Sequence, residues 1–321
     1  MSDLCKVEVV PVSLTKHPDA DNLSIVRVFD GYTVVVRTAD WEGKTKGAYI
    51  PPDNVVPGDR DEFKFLDGSF RIKARKFRGV MSQGLLVEVP DNFNVGDDVT
   101  EFFGVTRYVP AGDLESGDPT FGPPDFGPKY DIESWFKYRS VFQPGESVVI
   151  TEKIHGTNAR YTFQEGKMWA ASRSLYRTDG EGLYWRVVKE NPWIEEFCRA
   201  WPGVHLYGEI YGSVQELKYG AAPGQLWFRV FDVYDRGSYW NTARVEFEVE
   251  YYAGTKDALV PALYRGPYSE EIVTQLMDGT SSLAPHIKEG VVIKTYFERW
   301  TPTCGRVILK AVSPEYLAKK K

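Results

Sequence analysis

The chain has 321 residues, enough for two separate cores, and its 42 % apolar and 26 % charged content is that of a globular protein. A net charge of −6 excludes a protein coated in base, although local basic patches remain possible. No apolar run approaches the roughly 20 residues that span a bilayer, and MSDLCKVEVVPVS lacks a signal-peptide stretch, so a cytoplasmic protein without a membrane partner is expected.

Residues 1–110 read as short strands set between turns. Val7–Val12, Leu23–Phe29, Tyr32–Arg37, Ala48–Ile50 and Leu85–Val89 are β-prone, with Asp30-Gly31, Pro57-Gly58 and Asp67-Gly68 as turn signals. A small β-barrel or sandwich is expected. Within it, Arg71, Lys73, Arg75, Lys76 and Arg78 make five of the eight residues from Arg71 to Arg78 basic. Such a run contacts a phosphate backbone or, more blandly, guards a sheet edge. Residues 111–129 are rich in Gly, Pro and acid, which is linker chemistry.

From 130 to 321, strands and helices mix. Strands are expected at Val148–Thr151, Ala159–Phe163, Met168–Ala171, Val204–Ile210, Leu226–Tyr234, Val291–Tyr296 and Arg306–Val312. Leu183–Trp201 has helical spacing, with Pro192 dividing it. Ser269 opens a further helix ending near Gly279, and Pro314 suits the first turn of a last one. Cys5, Cys198 and Cys304 are too few and too far apart for a disulfide framework or a zinc site.

Lys153-Ile154-His155-Gly156 follows the apolar strand Val148–Ile150. The tetrapeptide pattern is weak alone, since Lys44–Gly47 and Lys76–Gly79 share it. A lysine at a strand end before a glycine turn, however, aims an amine into a cleft, where it attacks phosphorus once deprotonated. Downstream come Ser172-Arg173-Ser174, with a bidentate phosphate clamp, and Gly208-Glu209, a carboxylate for a ribose hydroxyl or a metal. Phe231-Asp232 lies on an aromatic strand, Glu289-Gly290 precedes Lys294, and Lys310 lies on a final strand. Stacking rings and cations are what a nucleoside triphosphate requires.

This ordered series resembles the six motifs of the covalent nucleotidyltransferase superfamily of DNA ligases, RNA ligases and mRNA capping enzymes. EKIHGTN is close to the phage double-strand RNA ligases, and His155 favours RNA ligase, because the other two classes usually carry Asp there. His17-Pro18-Asp19-Ala20-Asp21-Asn22-Leu23 resembles a signature of OB-fold tRNA-binding domains. An OB domain ahead of the ligase domain, with little chain after Lys310, is similar to the Deinococcus and Naegleria type of RNA ligase.

The resemblance implies an α+β protein: an N-terminal OB-like β-barrel, then a nucleotidyltransferase domain of antiparallel sheets with flanking helices. It implies ATP and Mg2+ or Mn2+ as cofactors, with RNA as partner, as a nicked duplex or RNA:DNA hybrid, and no obligate protein partner. Lys153 would form lysyl-AMP, AMP would pass to an RNA 5′-phosphate, and a 3′-OH would displace it, in RNA repair. Glu152 would lie beside the adenine, Asn158 and Arg173 at phosphate or the RNA end, and Phe231 on the adenine. Glu209 would hold the ribose or metal, Glu289 the metal, and Lys294 and Lys310 phosphates, while Asp232 would brace its strand. The last motif departs from the family's usual Lys-x-Lys, since Ile308 stands in the first lysine's place. Two rival readings are a DNA ligase or GTP-using capping enzyme, and an RNA-binding protein with an inactive nucleotidyltransferase domain. Nucleotide preference separates the first, and retention of Lys153, Glu209 and Glu289 weighs against the second.

Overall fold

The structure, a computed structural model, describes residues 6–108 and 118–319. They divide into two compact units. The first comprises residues 6–108, 133–142 and 309–319; the second comprises 118–132 and 143–308.

In the first unit, strands Glu8–Pro11, Lys46–Ile50 and Leu85–Val87 pair antiparallel in that order. Alternation along them serves two cores at once. Val9, Ala48, Ile50 and Val87 face Phe63 and Phe103, whereas Val10, Tyr49 and Leu86 face Val26, Val34 and Trp41. Burial on both faces explains why these strands are continuous apolar runs. Leu14–Lys16, Leu23–Val28 and Tyr32–Arg37 form an antiparallel meander. Arg75–Phe77 and Val80–Ser82 form a hairpin whose two turn residues, Arg78 (φ 41°) and Gly79 (φ 89°), both lie in the left-handed region that favours tight hairpins. Glu133 and Ser134 pair in parallel with Leu309 and Lys310.

The second unit holds a seven-stranded antiparallel sheet. Its order is Pro119–Thr120, Tyr176–Arg177, Lys167–Ser172, Thr157–Gln164, His205–Gly212, Leu226–Asp235 and Ser238–Tyr239. Helices Leu183–Glu190, Trp193–Ala200 and Thr242–Ala253 cover one face, where Val187, Phe197 and Val249 bury against Tyr161, Leu206 and Val230. Pro192 divides the first two helices, as its missing N–H requires. Period-two alternation then sends Tyr207, Glu209 and Tyr211 to the opposite face, beside Asn158 and Arg229 from the flanking strands. Strands Gly290–Thr295, Ser147–Glu152 and Ala262–Pro267 also pair antiparallel. Ser269 caps helix Glu270–Met277, its hydroxyl accepting the Ile272 N–H, and Pro314 begins helix Pro314–Lys319.

The expected strand Arg306–Val312 is interrupted at Val307, whose N–H turns to the Arg299 carbonyl at 2.8 Å, leaving Gly305–Arg306 and Ile308–Val312. Residues 111–117 of the expected linker, together with Cys5, Lys320 and Lys321, lie outside the described residues. Residues 118–129 belong to the second unit, where the Gly127 and Pro128 carbonyls accept from Arg160 at 3.1 and 3.2 Å. Cys198 and Cys304 are free thiols. No described helix is long and apolar enough to cross a membrane.

Candidate active site

Strand Ser147–Glu152 delivers Lys153 to a turn. The Lys153 N–H bonds the Gly290 carbonyl at 3.0 Å, which places the lysine opposite the start of strand Gly290–Thr295 and so next to Glu289. The Lys153 ammonium donates to Glu289 Oε1 at 2.7 Å. The other oxygen, Oε2, lies 3.2 Å from His155 Nδ1, and His155 Nε2 lies 2.8 Å from Glu216. Gly156 closes the turn because only a residue without Cβ fits: a Cβ there would fall 2.1 Å from the Ile210 carbonyl oxygen.

Charge is concentrated around this turn. Burial alone would raise Glu289, but the adjacent Lys153 and His155 pull it down to about 2. Burial raises Glu209, Lys153 lowers it and the Glu289 charge repels it, leaving it at about 8. Burial opposes the Lys153 ammonium, yet Glu289 and Glu209 outweigh it and raise the lysine above its ordinary value. His155 is raised in the same way, burial opposing and its two carboxylate neighbours prevailing. A lysine held as ammonium against one carboxylate, beside a second carboxyl reluctant to ionise, is a site set up for a cation or a phosphate to redistribute charge.

Phe231 owes its position to a bulge. Tyr207 pairs with Asp232 and Gly208 with Val230, so Phe231 is the extra residue of strand Leu226–Asp235. Its ring lies 4.6 Å from that of Tyr130. Behind it, the wholly buried Asp232 accepts from the Tyr130 hydroxyl at 2.6 Å, and Arg306 and Lys294 lie 2.6 and 3.4 Å away. Burial pushes the Asp232 carboxyl up, but these two cations hold it below its ordinary value.

A model of the RNA ligase family matches residues 146–312, just over half of the chain. The chain belongs to the RNA ligase family. Ahead of the RNA ligase match, residues 4–89 match an OB-fold domain. Solved structures of Naegleria gruberi RNA ligase share the fold along the whole chain. A mutant with ATP and Mn gives a TM-score of 0.83 at 22 % identity over 98 % of each chain. The enzyme with PPi gives 0.85 at 23 % over 99 % of each. The expected α+β architecture, with an OB-fold domain preceding a ligase-type domain, is therefore found. A separate likeness, 36 % identity over 86 residues, is to the phenylalanine–tRNA ligase beta subunit of Neisseria meningitidis; it takes in 27 % of this chain and only 10 % of that protein.

Within this RNA ligase, the structure brings Lys153, Glu209 and Glu289 together and sets Asn158 directly across from Glu209. The Asn158 side-chain oxygen is buried without a partner. The other expected ligands have the following neighbours. Glu152, expected beside the adenine, is buried and binds the loop at Ser281 and Ser282: the Ser281 hydroxyl donates to one oxygen, and the Ser282 N–H and hydroxyl to the other at 2.8 and 2.7 Å. Lys294, expected at a phosphate, is buried with its ammonium 3.4 Å from Asp232. Arg173 lies half-exposed, 3.1 Å from Asp131. Lys310 falls in the first unit, paired with Ser134.

The basic run is also in the first unit, and it is not uniform. Arg75, Lys76 and Arg78 are exposed on the hairpin, and Lys73 is half-buried. Arg71 is tied to Asp53 at 2.6 Å and stacked 3.7 Å from the Tyr108 ring centroid. The buried His17 of HPDADNL anchors that hairpin, its Nε2 3.1 Å from the Phe77 carbonyl and its Nδ1 accepting the Asp19 N–H at 3.0 Å. Sequence reasoning missed Glu216, Tyr130 and Arg306, because no motif or periodicity marks a partner that only the fold brings near.

Proposed function

We propose that this RNA ligase attacks the α-phosphate of ATP with Lys153 and uses the resulting lysyl-AMP to join RNA 3′-OH and 5′-phosphate ends. The observation that carries the reading is the Lys153–Glu289 pair at 2.7 Å, with Glu209 close enough for both charges to act on it. In the first step a phosphorus–nitrogen bond forms, the bond to pyrophosphate breaks, and the lysine nitrogen loses a proton. AMP then moves to the RNA 5′-phosphate, and the 3′-OH displaces it to form the phosphodiester.

Among the described residues, no three His, Cys, Asp or Glu side chains are grouped to hold a metal. The donors fit an ion of the Mg2+ or Mn2+ kind, which takes one or two carboxylates and completes its shell with phosphate and water. Glu289 and Glu209 would hold it, and the elevated Glu209 is what a nearby cation relieves. When bound, the ion would supply positive charge to the triphosphate. With both Glu289 and Glu209 engaged by such a cation, burial would favour the neutral Lys153 amine. Phe231 and Tyr130 offer rings for the adenine, Asn158 and Glu209 polar groups for ribose or phosphate, and Arg173 a cation for the RNA end. The substrate we favour is a nicked duplex or RNA:DNA hybrid, with Arg75, Lys76 and Arg78 on its backbone.

The test is incubation with α-labelled ATP, or GTP in parallel, and Mg2+ or Mn2+, followed by a denaturing gel. Label from ATP on the wild-type chain and none on Lys153→Ala is expected. Label from GTP alone would move the protein to capping-type chemistry. No label from either, on folded protein stripped of bound AMP, would overturn the reading.

A further inference from the structure

Segment 213–225, between strands His205–Gly212 and Leu226–Asp235, has no part in the roles above, yet three of its side chains meet the turn that carries Lys153. Gln215 Nε2 donates to the Gly156 carbonyl at 3.1 Å. Tyr219 accepts the His155 N–H on its hydroxyl at 2.7 Å. Glu216 lies 2.8 Å from His155 Nε2. The segment is shaped for this contact. Tyr219 adopts a left-handed backbone (φ 54°), disfavoured for a bulky side chain, and its ring is held 5.1 Å from Tyr211 and 4.6 Å from His286.

These contacts continue to the lysine. His155 is gripped at one ring nitrogen by Glu216 and at the other by Glu289 Oε2, so its ring plane is fixed from both ends. Fixing Oε2 in turn leaves Oε1 facing the Lys153 ammonium. Taking Lys153 as the nucleophile, on which this inference rests, we propose that segment 213–225 is a three-point clamp on the nucleophile turn, and that Glu216 is a positioning residue acting through His155 on Glu289. The Glu216 side chain is 71 % exposed, so changing it opens no core.

The test is the single-turnover rate of label transfer from α-labelled ATP to the chain. Glu216→Ala removes one hydrogen bond to the ring and is expected to slow transfer about tenfold at saturating ATP. The ATP concentration for half-maximal rate and the thermal midpoint should stay near the wild-type values. Glu216→Gln keeps an oxygen that accepts from the imidazole and should restore the rate to within about twofold of wild type. A Glu216→Ala chain that labels at the wild-type rate, or two variants equally slow, overturns the clamp. A change in half-saturation or melting without a change in rate does the same. A wild-type chain that takes no label overturns the nucleophile reading and the clamp with it, so the two failures are distinguishable.

Discussion

His205 lies in strand His205–Gly212 with its side chain wholly buried, and neither ring nitrogen has a hydrogen-bond partner. Burial lowers its pKa, the nearby Arg160 lowers it further, and Asp125, 3.6 Å away, only partly offsets them, leaving it at about 4. An unfolded histidine titrates near 6.5. Above that pH both states are neutral and nothing is lost. Between 6.5 and 4 the unfolded chain binds a proton that the fold refuses, so stability falls as pH falls. Over the whole window the loss is about 3 kcal/mol. Denaturant midpoints of the wild type and His205→Gln, measured from pH 7.5 to 4.5, should show the wild type losing more. Parallel curves would sink this account. The same contest of burial against partners runs the other way at Lys153, where two carboxylates outweigh desolvation and keep the amine charged.

Elements were legible where their periodicity matched their surroundings. Tyr32–Arg37 has the expected bounds, and the helices on either side of Pro192 are where spacing and proline chemistry put them. Helix Thr242–Ala253 escaped the sequence reading, for a physical reason. Val245, Phe247, Val249 and Tyr251 alternate with Glu246, Glu248 and Glu250, which is the period of a strand. Of these four apolar residues the fold buries Val245 and Val249, four apart, and leaves Phe247 69 % and Tyr251 72 % exposed. What selects the helix lies at its ends: Asn241 accepts the Arg244 N–H at 2.9 Å, and Gly254 closes the other end in the left-handed region (φ 68°). If the cap rather than the pattern decides this element, Asn241→Ala should cost about 1 kcal/mol. Thermal unfolding would register that as a lowered midpoint, with Asn241→Asp retaining most of it; an unchanged midpoint in the alanine variant would return the decision to tertiary packing.

At the scale of the molecule, the order of motifs along the chain carried the family, while the pairing of charges did not show in it. Lys294 and Glu152 stand where the motifs put them in sequence, but folding turns one to Asp232 and the other to Ser281 and Ser282. A motif records residue type and order; which oxygen an amine meets depends on strands far apart in the chain. The basic run shows the same limit. Five like residues in a row of eight become, on folding, one arginine fixed by Asp53 and Tyr108, one half-buried lysine and three cations displayed on a hairpin. If the displayed set holds RNA by its phosphates, Arg75→Ala, Lys76→Ala and Arg78→Ala combined should weaken binding evenly across RNA sequences. The slope of log affinity against log salt should fall by about 2 to 3, since each lost phosphate contact removes about 0.7 to 0.9. Labelling by ATP of Lys153, which lies in the other unit, should stay within about twofold of wild type on the same preparation. An unchanged salt slope would assign the hairpin to edge protection instead, because solvated charges that touch no phosphate release no counterions when RNA binds.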